Sequence, residues 1–452
     1  MAAVKEIDPD RLVAALPDLA MVEAVGRSGL FEGLPVKLSW TGEFVAMGAP
    51  GLAHLPDFSR DDIVVDTGIG QIVLERPLVT RVDSDGMIKG AALATILARG
   101  GAPEKIMRRT FVRADVDLWS RVCFPGHLEY PRTRGGATAL LPLIVGGTSL
   151  DVFYLKEGPF LILESSGDLD GDRYREIVGA TKMLLTYVTG ERFDAESCDV
   201  VSDQESDTIV EARWHAGRVL PRHIYHPIPV SWAEVVSAHR ALKLAGRPTS
   251  MLQPRLLSTC LEYVLANPAL ATTLEYLVRF PETPVEMRGA FLSVALESFT
   301  DHLAKVGVLA DLHLLPDATW EPVRDRLIEV AAAGCELCTE EQRGALRNRI
   351  SDLNRPTNNQ KLVQPFDVLG VALTDEQKAA IKRRNKLLHQ GRLLDPDVVA
   401  ADRAAWRQAY AIEMNLYTAI NALVLKRMGY QGPIIDWGKT SIDSGEQAYA
   451  VV

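Results

Sequence analysis

Within IKRRNKLLHQG, residues 381–391, an arginine, an amide and an imidazole stand close together as Arg384, Asn385 and His389. An imidazole with an ordinary pKa of about 6.5 exchanges protons near neutral pH. A guanidinium stays cationic and presents a planar fork of donors matched to phosphate oxygens. An amide does not titrate and can only orient or hold a neighbour. These are the groups that acid–base chemistry at a phosphate requires. On a helix Asn385 and His389, four apart, share a face, whereas Arg384 lies about 140° around from His389 and reaches it only through its length. Lys382, Arg383, Lys386 and Arg392 crowd the same stretch, although the chain carries a formal net charge of −10. Spacing alone also fits a solvated basic face of an amphipathic helix.

A helix of this kind needs a folded unit to hold it. At 452 residues, 47% hydrophobic and 24% charged, the chain is long enough for two or three compact units and has a globular composition. After an opening helix expected near residues 10–25, the first half reads as strands: VKLSWTGEFVAMG, QIVLERPLVTRV, RTFVRADVDLW, SLDVFYLK and PFLILES are rich in β-branched and aromatic residues between Gly, Pro, Asp and Ser. One helix, DRYREIVGATKMLLTYVTG, is expected to pack against them, with Asp172 as its cap and Tyr174, Ile177, Met183, Leu184 and Tyr187 inward. From Pro229 the texture changes to successive amphipathic helices, the first opening on Ser231 and Glu234 at capping-box spacing and the last running from Asp397 to about Met428. The expected fold class is α+β, a β-rich sandwich or barrel-like domain over residues 1–228 followed by an all-α bundle over 229–452.

The stretch RNKLLHQG resembles the Arg-polar-x-x-x-His signature of the HEPN superfamily of helical domains. Its place on the penultimate helix, and the ending LVLKRMGYQGPIIDW over residues 423–437, resemble the Apea-like branch of that family, and FLSVALES and LRNRISDL fit its texture. The resemblance covers roughly residues 255–437; over the first half the similarity is only to β-rich domains that precede such modules. It implies a HEPN-like helical bundle acting as a metal-independent endoribonuclease without cofactor, in which two copies pair so that their motif helices build one site. Cleavage would proceed by attack of the ribose 2′-hydroxyl on the adjacent phosphate. His389 would move the proton, Arg384 would hold the charged transition state, and Asn385 would orient the histidine or hold a phosphate oxygen. Lys382, Arg383, Lys386 and Arg392 would bind flanking phosphates without reading sequence. Glu297, on an earlier helix, stands where family members often carry an acidic residue. The resemblance implies a setting in bacterial defence against phage, by abortive infection, with RNA as partner, a homodimer or higher homo-oligomer as the assembly, and a phage-derived or nucleotide trigger at the first domain. The rival is a non-catalytic HEPN-like module that binds a nucleotide or a protein.

Other motifs carry less. Cys335 and Cys338 form C-x-x-C without a second pair, so neither zinc nor any other metal is expected. Five cysteines in so long a chain give no disulfide framework and suit a reducing cytoplasm. DLDGDRYRE has Arg173 and Gly179 where a calcium loop needs glycine and an acid, and reads as a helix-capping turn. DTGIGQ precedes a strand rather than a helix, so it supports neither a dinucleotide fingerprint nor a phosphate loop. RHIYHPIP, with His223 and His226, reads as a linker packed by its own rings. The acidic, proline-bearing N-terminus shows no secretory signal, and ATALLPLIVGG falls short of a membrane span, so no membrane partner is expected.

Overall fold

A computed structural model describes residues 105–114, 118–129, 140–154, 160–166, 169–193, 197–205, 209–215, 225–309, 315–334, 338–355, 357–390, 403–440 and 446–452, together with the backbone of strands between residues 4 and 98. The opening helix expected near residues 10–25, His223, Cys335 and Arg392 lie outside the described residues. The fold is α+β, an antiparallel sheet followed by helices. Two compact units divide the chain, one of Met1–Asn267 with Gly432–Ile434 and Val451, the other of Pro268–Gln431 with Ile435–Ala450 and Val452. The sequence pattern placed a change of texture at 228/229, but the units part at Asn267/Pro268, because two helices beyond residue 229 pack into the sheet unit.

In the first unit, strands β1 (Ile106–Arg113), β2 (Leu140–Val145), β3 (Thr148–Tyr154), β4 (Phe160–Ser166), β5 (Ser197–Asp203) and β6 (Ile209–His215) pair antiparallel in the order β2-β3-β4-β1-β5-β6. The order continues from β6 into Met87–Ala98 and through Glu43–Met47, Leu34–Leu38, Leu30–Phe31 and Ile63–Asp66 to Gly70–Val82, which pairs back onto Met87–Ala98. β2 and β3 turn through Gly146 and Gly147, with φ of 55° and 82°. Two successive positive φ values define the type I′ hairpin turn that glycine adopts without steric cost.

Helix α1 (Gly171–Thr189) lies on this sheet. It is capped by Asp170, whose carboxylate accepts from the backbone N–H of Asp172 and Arg173, and it stops at Gly190 in the left-handed conformation. The cap is therefore Asp170 and not the expected Asp172, which sits in the first turn and favours the positive end of the helix dipole. Tyr174, Ile177, Leu184 and Tyr187 are buried as expected, with Met183 half-buried. The Tyr174 hydroxyl donates to the Leu163 carbonyl on β4 at 2.9 Å and lies 3.0 Å from the Thr110 hydroxyl on β1. Across the sheet, Arg109 and Glu164 stand in register and form a 2.7 Å ion pair whose side chains are 7% and 10% exposed. So dry a pair carries a large desolvation penalty, and removing one member would strand the other.

Helix α2 (Trp232–Ala241) opens on the capping box expected from sequence: Ser231 accepts from Glu234 N–H and the Glu234 carboxylate accepts from Ser231 and Val230 N–H. The same carboxylate holds His226 Nε2 at 3.0 Å. The segment Tyr225–Val230 is buried throughout, so His226 is fixed by Glu234 where the sequence suggested rings packing on rings. Helix α3 (Pro254–Ala266) lies along the outer strand β2, where Ser258 and Glu262, one turn apart, accept from the N–H groups of Ile144 and Gly146 at 2.9 Å each. Those donors would otherwise stand on an open sheet edge.

The second unit is helical. Helices α4 (Pro268–Arg279) and α5 (Val285–Lys305) pack together, with Tyr276 edge-on to Phe291. Helices α6 (Asp317–Gly334) and α7 (Glu340–Asp352) form a hairpin tied by Asn354, whose amide accepts from Leu315 N–H and donates to Leu315 C=O. Helices α8 (Asn358–Leu369), α9 (Asp375–Gln390) and α10 (Arg403–Arg427) pack on α5 and on one another. α10, expected from Asp397, has its described start at Arg403. Phe280 stacks on Tyr417 at 4.8 Å, and Arg288 covers the Phe280 ring. No helix among the described residues is long and apolar enough to cross a membrane.

Two measurements check this packing. Burial alone would raise the Glu234 carboxyl, but the hydrogen bond and charge of His226, with the two backbone donors, hold it well below its ordinary value of 4.5. A lowered folded value contributes stability that is present above pH 4.5 and lost as pH falls below it. Glu234→Gln should therefore cost about 1–3 kcal/mol near neutral pH, and the deficit should shrink as unfolding is measured at pH 4 and below. At Gly438 a methyl carbon would lie 2.5 Å from Asn415 Oδ1, whose amide nitrogen donates to Ala411 C=O. Gly438→Ala should cost about 1–3 kcal/mol in denaturant unfolding, and most of that loss should vanish in an Asn415→Ala background.

Candidate functional site

The motif residues sit on α9, whose start is fixed by Thr374: Gln377 N–H donates to its hydroxyl and Thr374 N–H donates to the Gln377 side chain. Asp375 and Glu376 fill the first turn, where the helix dipole favours acids. The Glu376 carboxyl is held low by its own backbone N–H, then by Thr374, with Lys439 adding its charge.

Gln377, Ala380 and Ile381 are buried and define the inward row of α9, while Lys378, Lys382 and Arg383 are exposed. The expected solvent-facing bases are thus in place at 382 and 383. Residues 384–390 are described as helical backbone only. Stepping about 100° per residue, position 384 falls within about 20° of the centre of the inward row, position 388 beside it, and position 389 about 130° away. By that step position 384 is in phase with the inward row, position 389 lies to one side of it and position 386 about 170° from it.

α9 packs against α5, α8 and α10. The helices bearing Glu297 and the motif are therefore neighbours. Glu297 is half-buried and already engaged within the protein. Two further polar residues escaped the sequence pattern. Glu413 on α10 is 2% exposed, in line with the buried Tyr417 and Asn421 one and two turns on. His302, near the end of α5, is 4% exposed, and burial with the charges of Arg427 and Lys305 lowers its pKa, favouring the neutral imidazole. Glu413 sits inside an amphipathic pattern, where a single acid looks like a surface residue; only its phase among Ala409, Leu416 and Ile420 signals burial.

The GYQG element that follows α10 is a helix stop. Gly429 has φ of 87°, Gly429 N–H donates to Lys426 C=O, and Tyr430 N–H donates to Leu425 C=O at 2.9 Å. Tyr430 is buried, which pushes its hydroxyl pKa upward. The described cysteines Cys123, Cys198, Cys260 and Cys338 are free thiols. Burial raises the Cys123 and Cys198 thiols and pushes Cys260 up to about 12, so none of these three is a ready thiolate nucleophile. Among the described residues no group of His, Cys, Asp and Glu is placed to hold a metal ion. No protein-family model, no curated protein and no solved structure matches this chain.

Proposed function

We propose that the helical unit is a HEPN-type endoribonuclease and that the sheet unit, with its strand order returning onto itself at Met87–Ala98 in barrel-like fashion, serves to sense a trigger or restrain it. The observation that carries this reading is the helix α9 itself, which has one row of residues anchored among α5, α8 and α10 while Lys382 and Arg383 face solvent in an acidic chain. In this reading the same helix carries the proton-transfer group and the basic strip.

In the proposed reaction a neutral His389 accepts the proton of the ribose 2′-hydroxyl as its oxygen attacks the adjacent phosphorus. A protonated imidazole, from the second copy of the chain in a dimer, delivers a proton to the departing 5′-oxygen. The products are a 2′,3′-cyclic phosphate and a free 5′-hydroxyl. Arg384 neutralises the oxygens that gain charge as the phosphorane forms, and Asn385 fixes the imidazole or one phosphate oxygen. Lys382, Arg383, Lys386 and Arg392 hold the flanking backbone. Bacterial defence against phage, in the cytoplasm, is the setting this chemistry fits, since indiscriminate RNA cleavage harms the cell that makes it. The second reading, a HEPN-like module that binds without cleaving, draws on the inward position of 384, where an arginine can serve packing alone.

Purified protein incubated with total tRNA in excess EDTA tests the choice. Cleavage that leaves 2′,3′-cyclic ends and falls by about 10²–10⁴-fold in both His389→Ala and Arg384→Ala supports the enzyme. Cleavage that persists in both variants, or none in the presence of a phage-infected extract, removes it. In RNA binding, Lys382→Ala with Arg383→Ala should flatten the slope of log K against log salt by about 1.4 if both meet single-stranded phosphates.

A further inference from the structure

We propose that the end of α2 and the loop joining it to α3 form a phosphate-backbone contact for a nucleic-acid strand, carried on the sheet unit by Arg240, Lys243, Arg247 and Arg255. No Asp or Glu lies between Glu234 and Glu262, and those four bases and His239 fall inside that interval of an acidic chain. All four bases are exposed, and none makes an ion pair or a side-chain hydrogen bond among the described residues. Several exposed arginines on other helices, by contrast, are met by an acid one turn away, as Arg173 is by Glu176, Arg279 by Glu275 and Arg326 by Glu329. That second pattern, with the signs interspersed, is the one an ordinary solvated helix face shows. Around the end of α2 the positive charge is left unmet.

The backbone sets these bases in place. α2 ends in a Schellman arrangement, in which Leu244 N–H donates to His239 C=O at 3.0 Å and Lys243 N–H donates to Arg240 C=O at 3.2 Å. Lys243 is left-handed, with φ of 51°, the one non-glycine residue with positive φ among the described residues. Glycine fills the corresponding place after α1 and α8, as Gly190 and Gly370, because a Cβ is unfavourable there. A lysine at such a position retains a strain that glycine would remove, and strain of that kind collects at functional sites. Gly246, with φ of 84°, turns the chain once more before Arg247. The far end of the loop is anchored by the Ser250 hydroxyl, which donates to Cys123 C=O, and by the buried Met251 and Leu252. Between those fixed ends Arg240 and Lys243 are one turn apart, and Lys243 and Arg247 are separated by no more than about 14 Å of chain.

The chemistry of the strip selects a nucleic-acid strand. Three of its four charges are guanidinium groups, whose planar forks match phosphate oxygens. Trp232, at the start of the same helix, is 52% exposed and offers a ring on which a base can stack. A lipid surface fits less well, because the loop presents no large apolar side chain to it: Leu242 and Leu244 are half-buried. Cations also offset the negative end of a helix dipole, but that role calls for no strained residue. That the strand is RNA rests on the nuclease reading; the strip itself does not.

Binding of a labelled, uridine-rich 2′-O-methyl oligonucleotide, which lacks the hydroxyl that cleavage needs, reads the strip whether or not the chain is a nuclease. In the full chain, Arg240→Gln, Lys243→Gln and Arg247→Gln together should weaken binding about tenfold or more at low salt. The slope of log K against log salt should flatten by about 2, at about 0.7 for each lost phosphate contact. Trp232→Ala should weaken binding about fivefold or more with that slope unchanged. Lys243→Gly should weaken binding about twofold or more while the unfolding temperature stays the same or rises. Binding that the triple variant leaves unchanged, or no binding at all, overturns the proposal. So does a Lys243→Gly variant that loses stability with its affinity intact, which assigns the lysine to the helix end. Capture by vesicles of anionic phospholipid that depends on the same residues, with no strand bound, overturns it in favour of a lipid surface. Strip-dependent strand binding without tRNA cleavage by the unsubstituted protein leaves the strip standing and removes the nuclease reading. Cleavage with strand binding indifferent to the strip does the reverse.

Discussion

In the helical unit the governing constraint is the burial of α10. From Leu416 to Leu425 its residues are covered on every side, and Phe280, from the turn between α4 and α5, stacks on Tyr417 to lock it in place. This enclosure withdraws the polar side chains of Glu413, Thr418 and Asn421 from water. The same enclosure dictates the end of the helix. Gly429 turns the chain in the left-handed conformation, Tyr430 folds back as a buried lid on the last turn, and Gly438 comes so close to Asn415 that no side chain fits between them. α9 inherits its position from this core: its inward row is held, and the bases on its outer side are left free to meet solvent or a polyanion.

The sheet unit solves a different problem. Its strands β2 and β3 make a tight hairpin at the margin, and an uncovered β2 would offer its N–H groups to any passing strand. α3 removes that hazard with Ser258 and Glu262, side chains one turn apart that match alternate donors along the strand. Beneath α1, Thr110 donates to Asp199 across neighbouring strands and shares the Tyr174 hydroxyl, so the helix is tied to the sheet by directional bonds as well as by apolar burial. Ion pairs such as Arg109–Glu164 and Arg121–Glu191 add little net stability after desolvation, but each fixes a unique register, because a shifted strand or segment would bury one charge alone.

Local chemistry was legible in the sequence wherever it acts over a few residues. Ser231 and Glu234 predict a capping box and form one; the basic run at 382–383 fits a solvated face and is exposed. Period-2 and period-3.6 patterns gave the strands and helices of the described residues, and with them the α+β class. The boundary between units was not legible, because α2 and α3 are amphipathic helices like those that follow, and only their partners place them with the sheet. Asp170 displaced Asp172 as the cap of α1 because the choice depends on which residue leaves helical geometry, a matter of how the chain arrives from β4.

For the candidate site the division is sharper. The sequence by itself determined the residue types, the four-residue spacing of Asn385 and His389 on one helix face, and the excess of positive charge around them, since all three follow from helical periodicity and side-chain chemistry. Only the tertiary structure decided that the row of Gln377, Ala380 and Ile381 turns inward, that α5, α8 and α10 are the helices α9 meets, and that Glu413 on α10 is withdrawn from water. Those facts depend on which faces of separate helices are pressed together, and residues more than 25 positions apart in the chain carry no local signal of that contact.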